Sequence, residues 1–213
     1  MADSEGGQER MDTTNTALST DRLDLASWRV DDAEAGLTIF GRDEVSRWLT
    51  PAMGPVGDET AMRETIAKWL DDDRDGDPPL GHWTVRLRDN STLVGSITLR
   101  RMPPFDEDRE LAWQFAPEHW GHGYATEAAR AVANWAFDMS APELFAVMRP
   151  GNERAAKLAR RLGMQWVGET DKYYHLRLNV YRLQPPDLIA SGLPPAGFIE
   201  WPTRAPSAGV DSG

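Results

Sequence analysis

The chain has 213 residues, with 34 acidic and 23 basic side chains, a formal net charge of −11 and no cysteine. Its size suits one main domain with a sizeable core, and its acidic excess argues against a nucleic-acid-binding surface and suits cationic partners. Without cysteine there can be no disulfide framework, thiolate metal site or acyl-cysteine intermediate.

His82, His119, His122 and His175 form no pair at a metal-ligand spacing on a helix face, so no metal is expected. No apolar run approaches the ~20 residues that span a bilayer, and no basic segment leads into an apolar one at the N-terminus. The expectation is a soluble, cytoplasmic protein with no membrane partner.

Residues 1–20 are polar, acidic and rich in Ser, Thr and Gly, which predicts a disordered leader. A first strand is expected over 22–29, followed by helices near 31–40, 43–49 and 58–70, the last ended by the acidic run at 71–77 with Gly76 and Pro78. Two strands, 82–88 and 92–101, flank the turn residues Asp89, Asn90 and Ser91. A further strand is expected over 109–115, closed by Pro117. A helix over 124–138 carries Ala125, Ala128, Ala129, Val132 and Ala136 at helical spacing, a small-residue face suited to a sheet.

A strand at 144–148 and a helix at 152–162 follow, with Gly163 where a left-handed helix end is expected. Two last strands are expected near 164–169 and 172–183. Residues 184–213 are rich in proline and read as an extended tail, in which Leu188, Ile189, Phe198, Ile199 and Trp201 could clip onto the domain or a neighbour. The folded part is thus residues 21–183. Its order predicts a mixed α/β (α+β) domain around one central, mostly antiparallel sheet flanked by helices, with a parallel pair at the late strand-helix-strand unit.

The most informative stretch runs from Pro117 to Ala128 and contains Trp120-Gly121-His122-Gly123-Tyr124. Two glycines spaced by one residue let successive backbone N–H groups converge, and the helix that follows favours a phosphate at its start. Alone, a Gly-x-Gly of this kind is also read as an ordinary glycine turn.

In context it is more specific. Glu110-Leu111-Ala112-Trp113 is followed by Glu118-His119-Trp120-Gly121-His122-Gly123-Tyr124-Ala125-Thr126-Glu127-Ala128, and then by Asn152-Glu153-Arg154-Ala155-Ala156-Lys157-Leu158 ending in Leu162-Gly163-Met164. In this order and spacing the chain resembles the GNAT superfamily of acyl-CoA N-acyltransferases, within it the ribosomal-protein-alanine acetyltransferase (RimJ/RimL-like) branch, over residues 22–183.

The resemblance implies the GNAT fold with its splayed sheet, acetyl-CoA as co-substrate, and direct transfer of the acetyl group to a primary amine on a peptide, a protein N-terminus or a small molecule. It implies that the backbone of His119, Trp120, Gly121, His122, Gly123 and Tyr124, running into Ala125, holds the CoA pyrophosphate. It further implies that Gln114, Phe115 and Ala116 pair with the pantetheine arm and that Asn152 holds pantetheine or an ordered water. Asn152 also reads as a helix N-cap. Glu110 matches by position the strand glutamate that serves as base in some members.

The chain departs from the pattern at Glu118, which brings no favourable charge to phosphate, so that Arg130 or Arg154 must assist. It departs again at Ala155 and Ala159, where relatives carry serine and the tyrosine that protonates the thiolate. Tyr173, Tyr174 and His175 are candidates for that role, each also read as a packing residue.

An α-amine of pKa ~8 costs only about 1 kcal/mol to neutralise at pH 7, whereas a lysine-like amine costs about 4 to 5 kcal/mol, so a base matters more for the second. Two other readings stay open. One is aminoglycoside acetylation, suited by the acidic charge; the other is a catalytically silent CoA-binding module. A homodimer is also left open.

Overall fold

The computed structural model describes residues 16–49, 53–104 and 107–191. Eight strands form one sheet in the order β1-β2-β3-β4-β5-β6-β8-β7. They are β1 (Thr16–Ser19), β2 (Leu23–Ser27), β3 (Gly81–Leu87), β4 (Leu93–Arg101), β5 (Arg109–Phe115), β6 (Leu144–Met148), β7 (Gln165–Thr170) and β8 (Leu178–Leu183). Every neighbouring pair is antiparallel except β5 and β6. The expected mixed α/β architecture is therefore present.

Helices α1 (Ala33–Phe40), α2 (Asp43–Leu49) and α3 (Glu59–Asp75) connect β2 to β3, and α4 (Tyr124–Asp138) and α5 (Glu153–Arg161) flank β6. The small residues of α4 are buried at Ala128, Ala129, Val132 and Ala136, and they pack with Ile97, Leu99, Leu111 and Phe115 of the sheet. That is the close helix-to-sheet approach their size allows. A second core lies between α1 and α3, where Trp28, Ile39, Phe40, Met62 and Ile66 meet.

Four sequence expectations change. Residues 16–19, expected in the disordered leader, form β1, whose Leu18 is buried against β2; the apolar Leu18 and the hydrogen bonds offered by β2 outweigh the polar composition around them. Helix α3 does not stop at the acidic run but continues to Asp75, begun by Asp58, whose side chain accepts the N–H of Ala61. The last strand starts only at Leu178, because Tyr174 and His175 take positive φ angles of 55° and 54° and Tyr173 is drawn to Asp108. Finally, the expected tail begins with α6 (Pro185–Ala190), which starts at two prolines, a tolerated position, and buries Leu188. Gly163 has φ +94°, as expected of a helix-ending glycine, and a Cβ there would lie 2.4 Å from the carbonyl of Asp187 on α6. Phe198, Ile199 and Trp201 lie outside the described residues.

Candidate active site

Strands β5 and β6 share a single paired position, Glu110 with Phe145. Beyond it they part, and the edge of β5 is left open. Ala116 donates its N–H to Val94 on β4, so by strand alternation the even-numbered residues of β5 turn their main chain to β4, and Leu111, Trp113 and Phe115 turn theirs to the gap. The carbonyl of Phe115 is already engaged by Trp120 Nε1 at 2.8 Å. Trp113 is therefore the residue whose N–H and C=O both face the open side. Of the residues expected along this edge, Phe115 turns its N–H to the gap, while Gln114 and Ala116 turn their main chain to β4, a phase that cannot be read without the register.

The chain then makes a 3-10 turn over Pro117–His119 and reaches the glycine loop. Gly121 and Gly123 have φ of +85° and +83°, a conformation that favours glycine. The N–H groups of His119 and Trp120, expected in the cradle, are bonded to the carbonyls of Ala116 and Pro117. From Gly121 through Thr126 the N–H groups find no acceptor among the described residues, and Gly123 caps α4 without a side chain. A methyl group at Gly121 would meet no atom within 4 Å, and at Gly123 only Arg22 Nη2 at 3.5 Å. Open space, converging N–H groups and the positive end of a 15-residue helix are what a pyrophosphate requires.

Arg22 braces this loop from behind. Its Nη1 donates to the carbonyl of His122 at 3.1 Å and its Nε to Glu127 at 2.8 Å, while its guanidinium lies over the Tyr124 ring. The His122 side chain is exposed and stacks on Tyr124. Sequence reasoning missed Arg22, for nothing in its local pattern signals a partner 105 residues away.

A cleft of about 560 Å³ runs from the gap to the glycine loop, lined by Trp113, Gln114, Phe115, His119, Trp120, Gly121, Gly123, Tyr124, Ala125 and Asn152. Its cations are Arg47, Arg154, Lys157 and Arg161 against Glu44 and Glu153, a local basic excess in an acidic protein. Arg154 stacks on Trp120 at 3.6 Å from the ring centroid. Arg130, the other candidate for phosphate, is instead nearly buried and donates to Ser191 at the end of α6. Glu118 turns toward Arg42. Asn152 accepts the N–H of Ala155 at 3.2 Å through Oδ1 as the α5 cap, and the residue lines the cleft. Ala159 sits in the core rather than at the cleft.

A second cavity of about 830 Å³ adjoins the first, and both are lined by Trp48, Leu49, Trp113, Gln114, Asn152 and Ala155. Its floor is the polar face of the sheet, where the register brings His82, Thr98 and Ala112 into one row and Arg100 and Glu110 into another. Glu110 is only 5 % exposed. Arg100 Nε donates to its Oε2 at 3.0 Å, and the Tyr174 hydroxyl donates to the same oxygen. Oε1 has no hydrogen bond among the described residues. Burial first, and the Glu110 charge second, push the Tyr174 phenol well above its usual pKa. Of the three candidates near the last strands only Tyr174 lines this cavity; Tyr173 is bonded to Asp108, and His175 is exposed.

Residues 22–165 match the family model described as an acetyltransferase (GNAT) domain. The chain belongs to the GNAT acetyltransferase family. It is similar to the uncharacterized N-acetyltransferase YoaA of Bacillus subtilis, 28% identical over 176 residues that cover 79% of this chain and 97% of YoaA. The fold resembles an acetyltransferase of Agrobacterium tumefaciens (TM-score 0.63, 24% identity, 84% of this chain and 99% of that one). It also resembles a putative ribosomal-protein-serine acetyltransferase of Vibrio cholerae (TM-score 0.64, 20% identity, 78% of this chain and 96% of that one). GNAT acetyltransferases use acetyl-CoA as co-substrate, and this chain is an acyl-CoA-dependent acetyltransferase of that fold. None of its described helices is long and apolar enough to cross a membrane.

Proposed function

We propose that the protein transfers the acetyl group of acetyl-CoA directly to the α-amine of a peptide or protein, in the manner of the ribosomal-protein acetyltransferase branch. The observation that carries this reading is the junction of the two cavities. One holds a glycine cradle and an open strand edge, the other holds Glu110, and they meet at Trp113, Gln114 and Asn152. The sequence string from Trp120 to Ala128 supports the branch, as does the likeness to the Vibrio cholerae fold.

The N–H groups of Gly121 to Thr126, with Arg154, would bind the pyrophosphate. Trp113 would hydrogen-bond the pantetheine amides as an added strand does, and the Asn152 amide would hold the arm's far end. This delivers the thioester to the mouth of the second cavity. Glu110 is the proposed base: through Oε1, directly or by one water, it takes a proton from the amine nitrogen as the C–N bond forms. The C–S bond then breaks, and the sulfur leaves with its electron pair. Tyr174, bonded to Glu110, is placed to pass a proton on to that sulfur once the carboxyl group has gained one.

The acceptor cavity favours an α-amine over a polycation. Its lining holds Lys68, Arg100, Arg101 and Arg149 against Asp72, Asp73 and Glu110, so the acidic surplus of the chain is not concentrated there. A screen of free-CoA release with peptides beginning in Ala or Ser, polyamines and aminoglycosides tests the reading. Turnover should appear with the peptides. Turnover with aminoglycosides alone would replace this reading with the resistance one, and acetyl-CoA binding without turnover on any amine would leave a silent binding module.

A further inference from the structure

The acceptor cavity contains a second proton-handling group that the mechanism above does not use. His82 opens β3 with its side chain on the polar face, 6 % exposed, and lines the cavity. Asp73, in the last turns of α3, grips it twice: Oδ1 lies 2.7 Å from Nδ1 and Oδ2 accepts the His82 backbone N–H at 3.0 Å. Trp69, one turn earlier on α3, stacks flat on the imidazole at 5.4 Å with an interplanar angle of 9°. A carboxylate can only accept, so Nδ1 carries the hydrogen. Nε2 is left as the lone-pair nitrogen of a ring fixed in orientation on two sides, and it makes no hydrogen bond among the described residues.

A buried histidine held for structure alone would be served by packing on Trp69. The bidentate carboxylate does more: it sets the tautomer and stabilises the imidazolium that forms when Nε2 takes a proton. The ring also stands on the same face as Glu110. His82 shares its row with Ala112, two strands away, and Glu110 is two residues further along that strand, a separation of ~12 Å between Cα atoms. The two groups thus occupy opposite sides of the space an acceptor must enter.

We propose that His82, held by Asp73, removes the first proton from the incoming ammonium, and Glu110 the second during attack. This rests on the acetyltransferase reading above. An ammonium R–NH3+ gives its proton to Nε2 and becomes R–NH2; the nitrogen attacks the thioester carbonyl, the C–N bond forms and the C–S bond breaks; the second N–H proton passes through Glu110 to the sulfur; and imidazolium returns its proton to solvent. The sum is an amide, free CoA thiol and one released proton. The other charged groups lining the cavity are Lys68 and Asp72 from α3, Arg100 and Arg101 from β4, Glu110 from β5 and Arg149 after β6. Arg100 is engaged with Glu110, and Arg149 donates to the Arg47 carbonyl.

The test measures kcat/KM from pH 6 to 9.5 with acetyl-CoA and an alanyl tripeptide amide for the full chain and for His82→Gln, Asp73→Asn and Glu110→Gln. His82→Gln should lose up to ~10-fold at pH 7, the factor by which an α-amine of pKa ~8 is protonated there, and the deficit should shrink above that pKa, where solvent supplies neutral amine. Added imidazole should restore part of the His82→Gln rate and none of the Glu110→Gln rate. Asp73→Asn should lose less, because the ring keeps its stacking on Trp69 and loses only the carboxylate that fixes its orientation. Retained thermal stabilisation by acetyl-CoA shows that each variant is folded, and Asp73→Asn carries the test if His82→Gln is not. A wild-type profile in His82→Gln overturns the proposal, as does a loss that is equal at every pH and insensitive to imidazole. Acetyl transfer by the wild type to no amine in the screen overturns the acetyltransferase reading itself, and this assignment with it.

Discussion

Replacing Gly121 by alanine separates backbone strain from ligand exclusion. At φ +85° an L-residue carries about 1–2 kcal/mol of strain, partly offset by about 0.4–1 kcal/mol from the stiffer unfolded chain. No atom lies within 4 Å of the added methyl, so no clash adds to this. The net loss of about 1 kcal/mol should lower Tm by about 2–4 °C. The methyl, however, occupies open space at the loop proposed to hold a phosphate. Acetyl-CoA at ~100 times its Kd should stabilise the wild type by about 2.7 kcal/mol, a shift of about 5–11 °C. A hundredfold weaker Kd in Gly121→Ala leaves only about 0.4 kcal/mol at the same concentration, or about 1–2 °C. The assay is thermal melting with and without acetyl-CoA, with Gly168→Ala as control. That glycine also has a positive φ and open space around it, but lies on β7, so its variant should lose stability and keep the full ligand shift. A full wild-type shift in Gly121→Ala would refute the phosphate cradle.

Other outcomes follow from the same geometry. Glu110→Gln should keep acetyl-CoA affinity while turnover on a high-pKa amine falls ~10²-fold or more, seen as a drop in kcat at unchanged Kd; an unchanged kcat would assign removal of the second proton elsewhere. Arg154→Ala should weaken acetyl-CoA binding about tenfold, the ~1.4 kcal/mol scale of one lost charge-assisted contact, with a shallower salt dependence in a calorimetric titration. Tyr174, whose pKa is raised in the folded state, binds its proton more tightly there than when unfolded. Its stabilising effect is therefore complete below pH ~10 and declines above it, and Tyr174→Phe should show a shallower alkaline loss of stability in urea melts at pH 9 to 11. Deleting residues 192–213 should leave the acetyl-CoA shift intact, because every described residue that lines the cleft precedes them; cutting one residue further removes the Ser191 hydroxyl from Arg130 and should cost stability without affecting binding.

Much of this site is written locally in the chain. Gly121 and Gly123 announce a positive-φ turn, and the alanines of α4 announce a helix pressed on a sheet. Asn152 announces a cap, and Gly163 a helix end. Such features depend on near neighbours, so a short stretch of sequence determines them. Patterning likewise determined the order of strands and helices from Leu23 to Met164, and with it the mixed sheet. The fold alone decided what depends on residues far apart. Only the register between β4 and β5 shows that Trp113 and the N–H of Phe115, not Gln114 or Ala116, face the gap. Only packing turns Arg130 toward Ser191 and leaves Arg154 on the cleft. Composition made 16–20 look like a leader and 71–75 like a helix stop, whereas tertiary partners supply what composition lacks: β2 pairs with the first, and His82 receives Asp73 from the second. His82 itself was legible only as an isolated histidine at a strand start. Its partner is nine residues upstream on a helix, and its chemistry exists only where α3 crosses the polar face of the sheet.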